Sequence, residues 1–237
     1  MATSGSTNWS LNRDQVITGA LRKLMVLPSG GTPSTAQTND ASDALNAIVK
    51  AFQADGMPLW KITSTSFTVT SGTSSYTAGP SQTINTMGKP LRVIQAFYTP
   101  SGGNNTPMNV YNRYDFNQLP TSNSSGLPVN LYYQPLNTTG VIKLWPTPSD
   151  NTTVVTFNYQ TPFEDMDAAS NDFDFPSEWI QALIYNLAWS LCPEYGIPPT
   201  DRAILAKEAK EWYEMALSMG SEEGSFYIKP DWSGVGR

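Results

Sequence analysis

The sequence predicts an α+β protein, namely a four-helix bundle with an inserted antiparallel β-sandwich or small barrel and an extended C-terminal arm. Two changes in periodicity carry this prediction. Apolar residues recur at helical spacing before residue 60 and after residue 175, and they alternate with polar residues in short segments between. The predicted divisions are 1–60 for the first two helices, 61–165 for the β insertion, 166–220 for the last two helices and 221–237 for the arm.

The first helix is predicted by an apolar stripe behind a capping signal. Asn12 and Gln15 have the spacing of a capping box, and Pro28 with the glycines that follow it is expected to end the helix. The stripe recurs at intervals of three and four residues and consists of Val16, Ile17, Ala20, Leu21 and Leu24.

A second amphipathic helix follows a polar linker at residues 29–37. We expect Asp40 to be its N-cap, and Gly56 with Pro58 to end it. Its apolar stripe consists of Ala41, Ala44, Leu45, Ile48, Val49 and Phe52. Neither of these helices is long enough to be stable alone, so we expect them to pack against the helices at the other end of the chain.

The central region has the short, alternating apolar segments that are typical of strands. Turn residues separate them, and residues 137–140 lie between two candidates as a hairpin loop would. The candidate strands contain residues 67–69, 91–98, 129–133, 141–145 and 155–159.

Two more helices are predicted after residue 175. Pro176 suits a first helical position, and the stripe behind it carries no charge after Glu178, which predicts a largely buried helix. Thr200 or Asp201 is expected to cap the last helix. The two stripes consist of Trp179, Ile180, Leu183, Ile184, Leu187, Ala188 and Leu191, and of Leu205, Ala209, Trp212, Ala216 and Met219.

The composition excludes several kinds of chemistry. The 237 residues carry a net charge of −6 and no histidine, so a Ser-His-Asp or Cys-His site cannot be built. No basic run is present to grip duplex DNA. The only cysteine, Cys192, lies in an apolar stretch and predicts a buried, inert thiol. Without a signal peptide or a long apolar stretch, we expect synthesis in a cytoplasm and no membrane partner.

Several segments, taken in order, resemble a known family. They are residues 13–24, residues 54–60 with their Asp-Gly-x-Pro-x-Trp ending, residues 111–116, Leu127-Pro128 and residues 175–196. Together they are similar to the head-to-tail adaptor (connector) family of tailed phages. This family includes the P22-like and T7-like adaptors, which are also called packaged-DNA stabilisation or tail tubular proteins.

The resemblance implies a structural ring subunit of the virion. It implies a ring, usually of twelve copies, with the portal protein above and a tail nozzle or tail hub protein below. Genomic DNA would pass through the lumen without specific binding during ejection. A structural role of this kind needs no catalytic residue, cofactor or metal.

The resemblance also implies that the C-terminal arm reaches the portal. Residues 222–224 are predicted to form a polar hinge. The segment beyond the hinge has no helical or strand periodicity but contains several aromatic residues. We expect its portal-binding residues to be Phe226, Tyr227, Ile228, Lys229, Pro230 and Trp232. In the alternative, these side chains fold back on the chain's own bundle.

Two other functions remain open from the residues. The acidic run of Glu164, Asp165, Asp167, Asp172 and Asp174 allows a peptidoglycan hydrolase with paired carboxylates, although favourable charge around a helix N-terminus also explains it. The aromatic residues of the central region allow a saccharide-binding module; they are Tyr98, Tyr111, Tyr114, Tyr132, Tyr133 and Trp145. An assay on cell-wall substrate separates the enzyme from the adaptor.

Overall fold

The computed structural model describes residue 5 and residues 9–55, 61–120 and 124–219. Within this part, five α-helices combine with ten strands, which confirms a mixed α+β fold. The helices are α1 Arg13–Lys23, α2 Thr35–Asp55, α3 Arg113–Asn117, α4 Ile180–Leu191 and α5 Pro199–Met219. The strands are β1 Ile62–Thr68, β2 Ser75–Gly79, β3 Ile84–Asn85, β4 Arg92–Thr99, β5 Thr106–Tyr111, β6 Ser125–Gly126, β7 Asn130–Pro135, β8 Gly140–Trp145, β9 Thr147–Pro148 and β10 Val154–Gln160.

The helical unit consists of α1, α2, α4 and α5. Helix α4 packs against each of the other three, because its apolar side chains cover most of its circumference. Leu183, Leu187 and Leu191 of this helix are fully buried, as their unbroken apolar stripe predicts. The predicted stripes of α1 and α2 face the same core.

Helix α1 begins as predicted and ends earlier than predicted. The Gln15 amide donates to Asn12 Oδ1 at 2.9 Å and the Asn12 amide donates to Gln15 Oε1 at 3.0 Å, which confirms the capping box. The last helical residue is Lys23, because Met25 takes a left-handed conformation with φ 58°. The helix therefore ends before Pro28, the residue that was expected to end it.

The predicted cap of α2 is wrong. Ser34 and Gln37 form the capping box, with the Gln37 amide 3.3 Å from Ser34 Oγ and the Ser34 amide 2.9 Å from Gln37 Oε1. Asp40 lies inside the helix, so the predicted linker at 29–37 overlaps its first turn. Gly56 and Pro58, the predicted terminators, lie outside the described residues.

The starts of α4 and α5 also differ from prediction. Pro176 precedes a single 3-10 turn, Ser177–Trp179, and α4 begins only after it. In α5 the first residue is Pro199, which needs no amide partner there, so Thr200 and Asp201 belong to the first turn rather than to the cap.

The β unit consists of β1–β10 and α3, and its main sheet has eight strands in a nearly closed, barrel-like arrangement. The strand order is β1-β10-β4-β5-β7-β8-β2-β3, and β6 pairs with β9 separately. Five pairings are antiparallel, which agrees with the predicted small antiparallel barrel. Three are parallel and were not predicted, β5 with β7, β2 with β3 and β6 with β9. Alternation of apolar and polar residues predicts that a segment is a strand, but it does not predict which strand pairs with it or in which direction.

The predicted hairpin is confirmed. Strands β7 and β8 are antiparallel with Pro135 opposite Gly140, and the Leu136 amide donates to the Thr139 carbonyl at 2.9 Å. Helix α3 was not predicted. Asn112 caps it, and its Phe116 ring packs against Tyr132 with centroids 5.4 Å apart.

The chain passes between the two units at a short junction. The Thr161 amide donates to the Lys61 carbonyl at 2.8 Å, which holds the outgoing and returning segments side by side. Beyond the sheet, the Phe163 ring stacks on Phe175 with centroids 4.3 Å apart, and the Phe163 amide donates to Gln53 Oε1 of α2. The returning segment is therefore fastened to the helical unit before α4 begins.

Candidate functional site

The acidic run is spread along the surface of the junction, where most of its carboxylates have structural partners. Lys61 Nζ forms an ion pair with the Asp174 carboxylate, and Lys50 Nζ lies 2.7 Å from Asp165 Oδ1. Asn171 Nδ2 donates to Asp167 Oδ1 at 3.0 Å. In the described part of the chain, no group of three potential metal ligands is brought together. Asp174 lies near the start of the helical segment, as the sequence predicts, and it also forms the ion pair with Lys61.

The Lys61–Asp174 pair is the most enclosed ion pair among the described residues. The Lys61 side chain is 10% exposed and its ammonium also lies 5.4 Å from the centroid of the Phe163 ring. Lys61 directly precedes β1, and Asp174 lies just before the 3-10 turn that leads into α4. The pair therefore links the first strand of the β unit to the entrance of the central helix.

The six aromatic residues of the suggested sugar-binding face do not form one exposed surface. Tyr98, Tyr132 and Tyr133 are buried, and burial raises the pKa of Tyr133 to about 12 while its hydroxyl donates to the Pro90 carbonyl. Trp145 is half-buried and its Nε1 donates to the Pro120 carbonyl at 3.1 Å. Of the six, only Tyr114 is fully exposed, and Tyr111 is half-buried.

Cys192 is buried at the end of α4, as predicted. Its thiol donates to the Ala188 carbonyl at 3.4 Å, and burial raises its pKa. Both effects disfavour the thiolate, so this side chain is a poor nucleophile.

The predicted portal-binding residues, 226–230 and 232, lie outside the described residues. The described chain stops at Met219, the last residue of α5. The 18 residues that follow include the predicted arm and lie outside the described residues.

The helical unit has an exposed apolar surface that was not predicted from the sequence. Met219 was predicted to share the buried stripe of α5, but it is 67% exposed, as are Ile204 at 61% and Met215 at 56%. These three residues recur at 204, 215 and 219, which places them on one side of the helix together with Glu208 and Glu211. We call these five residues the outer face of α5. The spacing of these residues could have been read from the sequence, but only the buried stripe of the same helix was considered.

The outer face of α5 continues into a cavity of about 310 Å³ beside the end of α1. Met25, which is 92% exposed and has a left-handed backbone, stands at its rim. We call this cavity the Met25 pocket; it is lined by Lys23, Leu24, Met25, Ile197, Asp201, Ile204 and Leu205. Together with Ile204, Met215 and Met219, Met25 extends the exposed apolar surface, and contiguous apolar surfaces often mark contact sites.

Among the described helices, none combines the length and apolar character needed to cross a bilayer.

These features indicate the class of protein to which the chain belongs. The residue sets that pointed to chemistry are mostly used to hold the fold together, and helix α5 exposes Ile204, Met215 and Met219 on one side, as expected for a structural protein that assembles with others. The model of the SU10 adaptor protein family matches residues 12–222. The chain therefore belongs to the SU10 adaptor protein family and is a phage adaptor protein, which confirms the resemblance found in the sequence. No curated protein matches it.

Membership of this family implies a structural role in the virion and contact with other head or tail components. The match covers all five helices and all ten strands, so both the helical unit and the β unit belong to the adaptor.

Proposed function

We propose that this chain is a head-to-tail adaptor subunit that forms a ring, dodecameric in the complete virion, between the portal protein and the tail nozzle or hub. The ring completes the head and leaves a channel through which the genome is ejected. The observation that carries the proposal is the adaptor-family match over residues 12–222, which spans both units. In this proposal the four long helices act as one bundle, and the β unit is an insertion into it.

The portal contact belongs to the C-terminal arm. The arm continues from α5, so it extends from the helical unit rather than from the β unit. Phe226, Tyr227, Ile228 and Trp232 supply apolar groups that fill pockets on a partner, and aromatic anchors of this kind often contribute about 2 kcal/mol or more each. Lys229 and Pro230 keep the segment extended and polar between these anchors.

Deletion of residues 225–237 tests the arm assignment. The truncated chain retains the cores of both units and is expected to keep its thermal stability, yet to lose attachment to purified portal rings in co-sedimentation. A full-length variant with Phe226, Tyr227 and Trp232 replaced by Ser controls for length and is expected to fail in the same way. Unchanged attachment of either variant would disprove the assignment.

We also propose that the channel wall is neutral or acidic. The chain has a net charge of −6, and residues 161–219 contain eleven Asp and Glu against three Lys and Arg. A wall of this charge releases few counterions from DNA, and so lets the duplex slide.

The subunit is proposed to be monomeric, or weakly associated, until it meets the portal, because rings formed in advance would compete with correct assembly. Sedimentation velocity at micromolar concentration checks this. A single species near 25.9 kDa is expected. Stable rings without portal would contradict it.

A further inference from the structure

The outer face of α5 and the Met25 pocket form one continuous surface with a distinctive order of chemistry. Met219 and Met215 come first, then Glu211 and Glu208, and the pocket beside Ile204 comes last. None of the ion pairs among the described residues involves Glu208. A matching partner would therefore present an apolar group, then a cation, then a large apolar group.

The C-terminal segment of this chain has that order. Phe226 is followed by Lys229 and then by Trp232, and the next segment upstream, residues 220–224, contains two glycines that allow the chain to turn back. Lys229 is one of only two cations beyond α5. The complementarity thus involves charge as well as apolar character.

The spacings agree along the whole length. Measured along the helix axis from Met219, Met215 lies about 6 Å away, Glu208 about 17 Å and Ile204 about 23 Å, at 1.5 Å per residue. A polyproline II segment that starts beside Met219 at residue 224 places Phe226 at about 6 Å, Lys229 at about 16 Å and Trp232 at about 25 Å, and its three residues per turn bring these side chains to one face. Each side chain therefore reaches the group that complements it.

We propose that in the unassembled subunit residues 225–232 lie antiparallel along the outer face of its own α5 and insert Trp232 into the Met25 pocket. The contact covers the apolar groups that would otherwise join one free subunit to another. This proposal rests on the proposed function in one respect, because the portal must compete for the same side chains and so release the arm. The subunit would therefore expose its apolar surface only where assembly takes place.

Disulfide trapping tests the position of the arm in the full chain. Ser233→Cys is combined with Asp201→Cys at the rim of the Met25 pocket, and the matched control combines Ser233→Cys with Met87→Cys, an exposed position in the β unit. Cys192 stays buried in both. We expect an intramolecular disulfide that forms about tenfold faster in the first pair, which corresponds to a 1.4 kcal/mol preference. Equal rates in the two pairs, or a product that is mainly a covalent dimer, would overturn the proposal.

Variants within the first pair test the contacts. Ile204→Glu is expected to reduce the rate to that of the control pair, whereas Met87→Glu is expected to leave it unchanged. Lys229→Glu should slow trapping. Adding Glu208→Lys to that variant exchanges the two charges and should restore the rate of trapping. Failure of Ile204→Glu to slow trapping would overturn the pocket assignment.

Portal rings separate this proposal from the proposed function. Adding portal is expected to slow trapping, because the arm then binds the portal. If trapping never occurs while deletion of residues 225–237 still abolishes portal attachment, the folded-back arm is wrong and the portal assignment stands. If trapping occurs and the truncated chain still attaches, the portal assignment is wrong and the folded-back arm stands.

Discussion

The helical unit and the β unit of this adaptor differ in how their cores are built. The core of the helical unit is mainly aliphatic, with Leu45, Leu183 and Leu187 fully buried. The core of the β unit contains several tyrosines, and two of their hydroxyls fix loops: that of Tyr76 donates to the Thr73 carbonyl at 2.9 Å, and that of Tyr133 donates to the Pro90 carbonyl. In the helical unit, hydrogen bonds join helices at the edge of the core instead, as when Asn186 Nδ2 donates to the Ala209 carbonyl at 3.2 Å.

The two units also differ in charge. Residues 61–160 carry five Lys and Arg against two Asp and Glu, a net charge of +3 within a chain of −6. The remainder of the chain is therefore strongly acidic. The negative charge of the chain, and with it the stronger repulsion of DNA, therefore lies outside residues 61–160.

Removing a large side chain from one core should have the largest effect. Phe157→Ala in the β unit and Leu187→Ala in the helical unit each empty a fully buried position and should lower the free energy of unfolding by about 3–4 kcal/mol. Because the two cores are separate clusters joined at a short junction, we expect calorimetry to show two transitions, with each variant lowering only one. One transition that both variants lower equally would show that the units unfold as one.

Breaking the ion pair at the junction should have an intermediate effect. Asp174→Asn leaves the Lys61 ammonium largely enclosed without its carboxylate, and because Asp174 is 31% exposed we expect a loss of about 1–2 kcal/mol. Asp172→Asn at an exposed neighbouring position is the matched control and should change stability little. Denaturant unfolding of both variants measures the difference; equal stabilities would show that the pair does not join the units.

Removing a helix cap should have a smaller effect, confined to the helical unit. Ser34→Ala removes the hydroxyl that accepts from the Gln37 amide and should cost about 1 kcal/mol. Asp40→Ala tests the cap that the sequence predicts and should be nearly neutral. If Asp40→Ala were the more damaging variant, the helix would begin where the sequence indicated.

Binding to DNA should show the smallest effect. Despite the positive charge of the β unit, the sequence contains no basic run, and we expect no binding to duplex DNA tighter than about 10⁻⁴ M at physiological salt. Fluorescence anisotropy across a salt series checks this. Tight binding that weakens steeply with salt would show that the β unit grips DNA.

The two units also differ in how much of their structure the sequence predicts. Contacts within helices are local, so the stripes of α1, α2 and α4 and the capping box at Asn12 follow from spacing alone. Strand pairing is non-local, so the parallel partners β5 and β7 could not be read from alternation. The cap of α2 was misplaced because Ser34 and Asp40 both suit that role, and only the Gln37 side chain decides between them.

The candidate site was harder to predict for a related reason. The exposure of Met25 depends on a single left-handed residue after α1, and the outer face of α5 depends on which side of that helix α4 covers. Neither is a property of local sequence. The ion pair of Lys61 and Asp174 joins residues 113 positions apart, and therefore required the fold.

Electron microscopy of purified subunits mixed with portal rings shows whether this chain forms the proposed ring. We predict one additional ring of twelve subunits on the tail-facing side of each portal, with an open channel along its axis. Portal rings that remain bare at saturating subunit concentration, or subunits that bind singly without closing a ring, would contradict it.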